Sequence, residues 1–431
     1  MRHSRLQLFA LAALLTVSGL VRVQAQTLDE CRRMAREHYP EIRQYELISQ
    51  TEQFNLSNAA RTWIPQVVVS AQATYQSATP TYPDVLANML AAQGIEMAGL
   101  RKDQYKVALD VSQHIWDGGQ SKAARAATQA EAIEQRRAVD VDIYALEERV
   151  EDIYFGILLL DERIAQTEAK IGLLQSSFDK VCTYCRNGVA MQADADAVEA
   201  ELLTARQALQ QAQVSQSNFR RMLEIFIGQP LADERLPRPA MCDLQSRESA
   251  RPELELFDAR LDLLSAREKS VVSSVMPRFS AFAQGFYGYP GLDMFKGMMS
   301  SDWTLNGIVG VRMSWNIGAF WTKKNSLQTL RTAREQVEVQ RDIFLFNTQL
   351  RTTQEEGEIA RLRDAVADDE RIAELRRSVR MAAESQLANG VIDTTDLLRK
   401  ITDETTAVLN KNTHEIELLQ AAYKIKHTLN Q

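Results

Sequence analysis

Four short segments of this chain alternate between apolar and polar residues, two in each half of the sequence. They lie at about residues 66–76, 105–115, 278–288 and 304–315. Successive side chains of a β-strand point to opposite faces, so this period of two predicts four strands, each with an apolar and a polar face. A length of about ten residues suits a tilted strand that crosses a bilayer.

The polar faces of these segments carry charged side chains of both signs. If the apolar faces meet lipid, the polar faces line water. The sequence then predicts a lumen lined by Lys106, Asp110, Arg278 and Arg312. Their mixed signs do not favour one class of cargo.

Aromatic residues cluster near both ends of the four segments. Toward the connecting loops lie Tyr75, Tyr105, Tyr287, Tyr289 and Trp303, and toward the helices lie Trp63, Trp116 and Trp315. Two aromatic belts are typical of strands that end at two membrane–water interfaces. Alternation alone is equally compatible with a water-soluble sheet that packs one face on a core. The belts, the export signal and the internal duplication favour the membrane interpretation.

Long helical patterns follow the strand segments in both halves. No proline interrupts residues 119–186, and a helix of that length spans roughly 100 Å. Its apolar positions from Val139 to Phe178 alternate in steps of four and three, which predicts a coiled-coil seam. Further helices are predicted at 192–227, 319–388 and 393–429.

One unit occurs twice along the chain. Residues 39–42 (YPEI) match residues 251–254 (RPEL), and residues 64–65 (IP) match residues 276–277 (MP) at the same spacing. The predicted organisation is a signal peptide at 1–25, a first repeat at 26–230, a linker at 231–250 and a second repeat at 251–431.

Four strands are too few to close a barrel, for which about eight are needed. The unpaired amides of an open sheet edge cannot lie in lipid. The sequence therefore predicts an oligomer, and three chains would supply about twelve strands around a water-filled lumen.

The composition excludes a nucleic-acid partner and indicates export. Charged residues make up 25% of the 431 residues and the net charge is −7, so no basic surface is expected. Arg2 and Arg5 precede the apolar run Leu6–Leu20, and residues 23–25 (VQA) fit a cleavage site, which predicts a cleaved signal peptide. An uncleaved anchor is the alternative.

Residues that carry out chemistry are sparse. Only five histidines occur, and no metal-ligand spacing, nucleophile elbow or phosphate loop is present. This pattern predicts no enzyme activity, no cofactor and no metal site. Cys182 and Cys185 form a C-x-x-C pair without further nearby ligands, and we interpret them as two small residues on one helix face rather than a redox or zinc site.

Two tight turns end the long helices. Their residues are Asn187, Gly188 and Val189 in the first copy and Asn389, Gly390 and Val391 in the second. Glycine tolerates the left-handed conformation that terminates a helix. Asp194 and Asp396 follow these turns, and a carboxylate at the start of the next helix is favourable by about 0.3–1 kcal/mol.

In these features the chain resembles the TolC-like outer-membrane factor family, also called the outer membrane efflux proteins. The resemblance rests on the order and duplication of short motifs. They are Ile64-Pro65, Met276-Pro277, Ile115-Trp116-Asp117-Gly118-Gly119, and the two Asn-Gly-Val turns with Asp194 and Asp396.

The resemblance implies a mainly α fold with a small β part, built from a duplicated helix–β-hairpin–long helix–helix unit. It implies a homotrimer in which a twelve-stranded β-barrel in the outer membrane continues as a periplasmic α-helical barrel. It also implies two partners, an inner-membrane pump and a periplasmic adaptor (membrane fusion protein) that docks at the helix turns.

The resemblance further implies a constriction at the turns. Asp396 would contribute to a ring of three carboxylates there, and Asp194 is the equivalent residue of the first copy. Arg399 stands where some members carry a second acid. Its i, i+3 spacing from Asp396 would allow a contact between the two, and the ion selectivity of the gate stays open.

The expected function is that of an exit channel in a tripartite efflux or type I secretion system, a passive duct opened by its pump and adaptor. The alternative is a periplasmic coiled-coil structural or adaptor protein, which would not need four amphipathic strands and would dissolve without detergent. An exported enzyme is a further alternative, for which no site is apparent. The sequence leaves the cargo open among drugs, metal ions, siderophores and proteins.

Overall fold

The computed structural model describes residues 26–94, 99–188, 190–242 and 249–430. The predicted signal peptide lies outside these residues. Among the described helices, none is both long and apolar enough to cross a membrane.

The helices and strands follow one order in each half of the chain. The first half contains α1 (Leu28–His38), a 3₁₀ turn (Pro40–Ile42), α2 (Arg43–Arg61), β1 (Gln66–Tyr75), α3 (Asp84–Ala91), β2 (Asp103–Trp116), α4 (Gln120–Arg186) and α5 (Gln192–Ile227). The second half contains α6 (Pro252–Ser274), β3 (Arg278–Tyr289), α7 (Met294–Met299), β4 (Thr304–Ser314), α8 (Ala319–Ala388) and α9 (Thr394–Leu429). The short helices α3 and α7 lie where the sequence indicated only loops.

The chain forms two compact units, and neither coincides with one repeat. The first unit is helical and comprises the chain up to Gln44, Ala138–Glu255 and Arg341–Gln431. The second comprises Tyr45–Arg137 and Leu256–Gln340 and contains all four strands. Each repeat contributes to both units because strands of one repeat pair with strands of the other.

The helical unit has two apolar clusters along α4. In the larger one, Val150 and Ile157 of the predicted seam are fully buried together with Cys31 of α1, Leu223 of α5 and Ile416 of α9. Burial of a large aliphatic side chain contributes about 1.5–3 kcal/mol, so this cluster holds the helices together. A second cluster forms around Leu174, Val198 and Ile401.

The second unit contains one antiparallel sheet with the strand order β1-β2-β3-β4. The pair β2–β3 joins the two repeats, with Val107 opposite Tyr287 and Asp110 opposite Gln284. Residues directly opposite each other in such a pair share one face of the sheet. Each face can therefore be followed across all four strands.

Candidate functional site

One face of the sheet is apolar from the first strand to the fourth. Val69 lies opposite Leu109, Leu109 opposite Gly285, and Ala283 opposite Val309. Among the strand residues on this face, Asp103 at the loop end is the one charged side chain.

The apolar face is exposed in the single chain. Val309 keeps 83% of its surface accessible, Leu305 81% and Val69 71%. A contiguous exposed apolar surface of this kind marks contact with a membrane or another protein. Alternation of an apolar face with a polar one is the pattern of strands that separate lipid from a lumen.

Aromatic rings lie at both ends of the sheet, as the sequence suggested. Near the loops, Trp303 contacts Tyr105 and Tyr287 with ring centroids 6.1 and 5.3 Å apart. Near the helices, Trp116 lies 5.9 Å from Phe279, and the indole of Trp315 donates a hydrogen bond to a backbone carbonyl. These rings lie where two membrane interfaces would place amphipathic side chains.

Tyr289 behaves differently from the other aromatic residues of the belts. It is buried beneath the connecting loops, where its hydroxyl donates to the Gly297 carbonyl at 2.9 Å and accepts from the Arg101 amide at 3.0 Å. Its position fixes the two loops to each other rather than presenting a ring to an interface.

The opposite face of the sheet carries the four predicted lumen residues. The Lys106 ammonium donates to the Gln284 side chain at 3.1 Å, and the Gln284 amide donates to the Asp110 carboxylate. Lys106 and Asp110 are thus linked through Gln284. Arg278 and Arg312 lie at the end of the sheet next to the helices, away from this chain of contacts.

Two phenylalanines on this polar face were not assigned from the sequence. Arg312 lies 4.7 Å above the ring of Phe282, and Lys106 lies 4.3 Å above the ring of Phe286. Both phenylalanines occupy even positions in the same alternation as Arg278, which is the signal that could have placed them.

The junction between β2 and α4 is held by Asp117. Its carboxylate accepts hydrogen bonds from the backbone amides of Gly119 at 2.9 Å and Ser121 at 2.6 Å. Burial disfavours the charged carboxylate, but hydrogen bonds from Ser121 and the Gly119 amide outweigh it and hold the pKa of Asp117 below its usual value. Asp117 therefore caps the long helix as a carboxylate.

Replacement of this cap gives a first prediction. Asp117→Ala removes the acceptor for two helix-start amides, and we expect a loss of about 0.5–2 kcal/mol in unfolding free energy. Urea unfolding followed by circular dichroism measures it. Asp117→Asn keeps an acceptor and should recover most of the loss; equal losses in both variants would contradict the capping role.

Both turns at the ends of the long helices contain a left-handed glycine. Gly188 has φ +75° and Gly390 has φ +70°. After Gly390, the Val391 amide donates to the Gln386 carbonyl at 2.9 Å, and the Val391 side chain is 69% exposed. Such bonds satisfy the last carbonyls of a helix and end it sharply. Asn187 and Asn389 are exposed beside these glycines, and Val189 lies outside the described residues.

The predicted gate residues lie in the first turns of α5 and α9. The Asp194 carboxylate accepts from the Met191 amide at 3.0 Å, so it closes the start of α5. In the second copy Asp393 takes the capping role, because its carboxylate accepts from the Asp396 amide at 2.8 Å. Asp396 itself is exposed. No ion pair joins Asp396 to Arg399, although both are described.

The two cysteines of the C-x-x-C pair lie near the end of α4. Both are half-buried against the cluster around Leu174, and the Cys185 thiol donates to the Met191 carbonyl at 3.1 Å. Within the described ranges, no group of three or more His, Cys, Asp or Glu residues has the geometry to hold a metal ion.

The helical unit buries a cluster of charged residues that the sequence did not predict. Arg32 of α1 pairs with Glu151 of α4, whose side chains are 16% and 6% exposed. Burial raises the pKa of Glu151 to about 7, against the opposing effect of Arg32. Burial also lowers the pKa of His427 to about 4, so this histidine is neutral at pH 7. The imidazole lies 3.7 Å from Glu151 and 3.8 Å from Glu148.

Known structures share this fold over nearly the whole chain. The outer membrane protein VceC from Vibrio cholerae superposes with a TM-score of 0.71 at 13% identity, covering 95% of this chain and 97% of that one. The outer-membrane channel OprN gives 0.69 at 15% identity, covering 93% and 89%. The Campylobacter jejuni CmeC outer membrane channel gives 0.67 at 12% identity, covering 94% and 86%. No curated protein sequence matches the chain.

The fold and the two-faced sheet thus define a protein with the architecture of TolC-like outer-membrane channels. Residues 31–229 match the family model of the outer membrane efflux proteins. The match confirms, over this part of the chain, the resemblance found in the sequence.

Proposed function

We propose that the protein is the outer-membrane exit channel of an export system. A cleaved signal peptide directs the chain to the cell envelope. The observation that carries the proposal is the apolar face, which runs uninterrupted across four strands opposite a face with Lys106, Asp110, Arg278 and Arg312. A sheet with one lipid-compatible face and one charged face is suited to surround an aqueous path.

The sheet requires further copies of the chain to complete that path. β1 and β4 are its outer strands, so each has one edge without a partner strand among the residues that the structure describes. Such an edge cannot remain in lipid, where its amides would lack partners. Closure by three chains gives a homotrimer with about twelve strands and an interior wide enough for water.

The helical unit continues the duct into the periplasm in this proposal. The tip turns (Asn187, Gly188, Val189, Asn389, Gly390 and Val391) form the docking surface for a periplasmic adaptor, which connects the channel to an inner-membrane pump. The exposed Val391 supplies apolar contact area there. The duct itself is passive, and the pump supplies energy in tripartite efflux or type I secretion.

Asp396 forms the gate in this account. Its exposed carboxylate would meet two copies of itself across a threefold axis, while Arg399 one turn later and Asp194 of the first copy complete the constriction. A ring of like charges repels itself and attracts counter-ions, so it sets both the ease of opening and the ion preference.

Charge removal at the gate tests this assignment. Asp396→Ala should lower the single-channel conductance, because it removes the carboxylates that attract counter-ions, and Arg399→Ala should change it in the opposite direction, by roughly twofold at low salt. Planar-bilayer recording measures both. Glu358→Ala is the matched control, since Glu358 is an exposed acid on α8 that pairs with Arg361. Three variants indistinguishable from wild type would remove the gate assignment.

Fractionation and conductance test the proposed function itself. The expressed protein should enter the outer-membrane fraction, need detergent for extraction and conduct ions in bilayers. Recovery from the periplasm without detergent would instead support the structural or adaptor protein.

A further inference from the structure

The four charged residues on the polar face of the sheet are not balanced. Lys106 and Asp110 are linked through Gln284, so their charges offset each other locally. Arg278 and Arg312 have no carboxylate within ion-pair distance among the described residues. The strand residues of this face therefore carry two uncompensated positive charges per chain.

Both unpaired arginines lie at the same end of the sheet. Arg278 is opposite Ser314, and Arg312 is opposite Ser280, so the two occupy adjacent rows next to the helices. A cleft of about 320 Å³ opens beside Arg278, lined also by His114 and the nearby Asp117. The Asp117 carboxylate accepts hydrogen bonds from the Gly119 and Ser121 amides and lies outside ion-pair distance of Arg278.

The Arg312 guanidinium packs over the ring of Phe282, which lies on the β4 backbone at Gly310. We call this pair of residues the aromatic shelf. Phe282 lies opposite Gly310, and a Cβ atom at Gly310 would come within 3.0 Å of the Phe282 ring. Glycine therefore leaves room for the ring to lie on the β4 backbone. Arg312 stands 4.7 Å above that ring, a cation–π contact.

Apolar side chains border this shelf on the same face. Ile308 and Val68 occupy one row of the sheet, at either side of Gln284 and Asp110. Both are exposed, and Ile308 lies next to Gly310 and Phe282 in the following row. The polar face thus presents positively charged side chains beside accessible apolar surface.

We propose that this end of the sheet selects organic anions that have an apolar body, with Arg278 and Arg312 attracting the charge and Phe282 with Ile308 contacting the body. The proposal rests on the proposed function, because it requires this face to line the duct. Three chains would present six such arginines around one path, and clustered charges of one sign raise the local concentration of counter-ions. The carboxylates at Asp396 act separately, at the helix turns.

A purely structural role for these residues predicts something different. Arg312 would then only cover the Phe282 ring. Arg278, which has no ring contact, could be replaced without changing the ion selectivity. Selectivity that depends on both arginines separates the two explanations.

The first experiment is the reversal potential of the purified protein in a planar bilayer under a KCl gradient. Asp396 is unchanged in every protein compared, so the cation attraction of its carboxylates is common to all of them. Arg278→Gln combined with Arg312→Gln should lower the Cl⁻/K⁺ permeability ratio by about threefold or more. The matched control, Arg278→Lys with Arg312→Lys, keeps both charges and should retain the wild-type ratio.

The second experiment is block of the KCl current by 1-naphthalenesulfonate compared with methanesulfonate. Wild type should be blocked at a several-fold lower concentration of the aromatic anion. Phe282→Leu should weaken the block by naphthalenesulfonate and leave that by methanesulfonate unchanged, whereas the double Gln variant should weaken both.

The outcomes separate this proposal from the proposed function. Absence of any current from wild type would overturn the channel function, and the anion selectivity with it. A Cl⁻/K⁺ permeability ratio that the double Gln variant leaves unchanged would overturn the anion selectivity alone. Equal block by the two sulfonates would overturn the role of Phe282 and Ile308.

Discussion

Arginine at Val309 is expected to prevent the protein from assembling in the membrane. Val309 lies at the middle of β4 on the apolar face and is the most exposed of the residues measured there. An arginine on the lipid face at mid-bilayer costs about 2–4 kcal/mol, and all chains of the proposed trimer would carry the change. Val107→Arg on β2 should act in the same direction. Assembly is measured as the fraction of heat-stable oligomer in detergent extracts of the outer membrane.

The opposite face of the sheet provides the matched control. Ser70→Arg introduces the same side chain on β1, at a position that is exposed and lies opposite Ala108 on the polar face. It should assemble normally, because an arginine there reaches water. Normal assembly of the Val107 and Val309 variants together with failure of the Ser70 variant would show that the faces are reversed.

Loss of Arg32 is expected to destabilise the helical unit by about 3–5 kcal/mol near pH 8, the usual cost of leaving one member of a buried ion pair without its partner. Arg32 pairs with Glu151, and Glu147 and Glu148 lie on the same helix α4. Arg32→Ala therefore leaves the buried Glu151 carboxylate without its cation. Glu147 and Glu148 keep their own partners, Arg36 and Arg351. Urea unfolding followed by circular dichroism in detergent measures the loss.

The dependence of this loss on pH identifies its cause. When folding raises the pKa of an acid, the folded protein loses stability as the pH rises through that range. For Glu151 the range lies between its unfolded pKa of 4.5 and about 7. Removal of Arg32 raises the pKa of Glu151 further and extends the loss to higher pH. At pH 5 Glu151 is protonated in both proteins, so the two should differ much less than at pH 8.

Arg33 is the matched control for this experiment. It is the neighbouring residue on α1, is exposed, and pairs with Glu37 one turn away. Arg33→Ala should change the unfolding free energy by no more than about 0.5 kcal/mol. A loss for Arg32→Ala that is independent of pH would mean that packing, rather than the ion pair with Glu151, is responsible.

The sheet could be predicted from the sequence because the alternation of apolar and polar residues is a local pattern. Alternation assigns each strand residue to a face, so Val107 and Val309 were placed together with residues that the strand register brings beside them. The coiled-coil seam along α4 could be predicted for the same reason. Its repeat of four and three depends on the helix period alone, and Val150 and Ile157 are indeed buried.

Features that arise from contacts between residues far apart in the chain could not be predicted from the sequence. The pairing of Arg32 with Glu151 joins residues far apart in the chain, and neither side chain carries a local sign of burial. The shelf formed by Phe282 and Gly310 requires the register of β3 against β4. Asp393 was overlooked as the cap of α9, because the equivalent start of α5 uses Asp194 instead.

The number of chains in the purified particle tests most directly whether this sheet meets lipid and closes with its copies. Light scattering of the mature protein, corrected for bound detergent, should give a particle of three chains that precipitates when detergent is withdrawn. A single chain that stays dissolved and folded in detergent-free buffer would contradict the account.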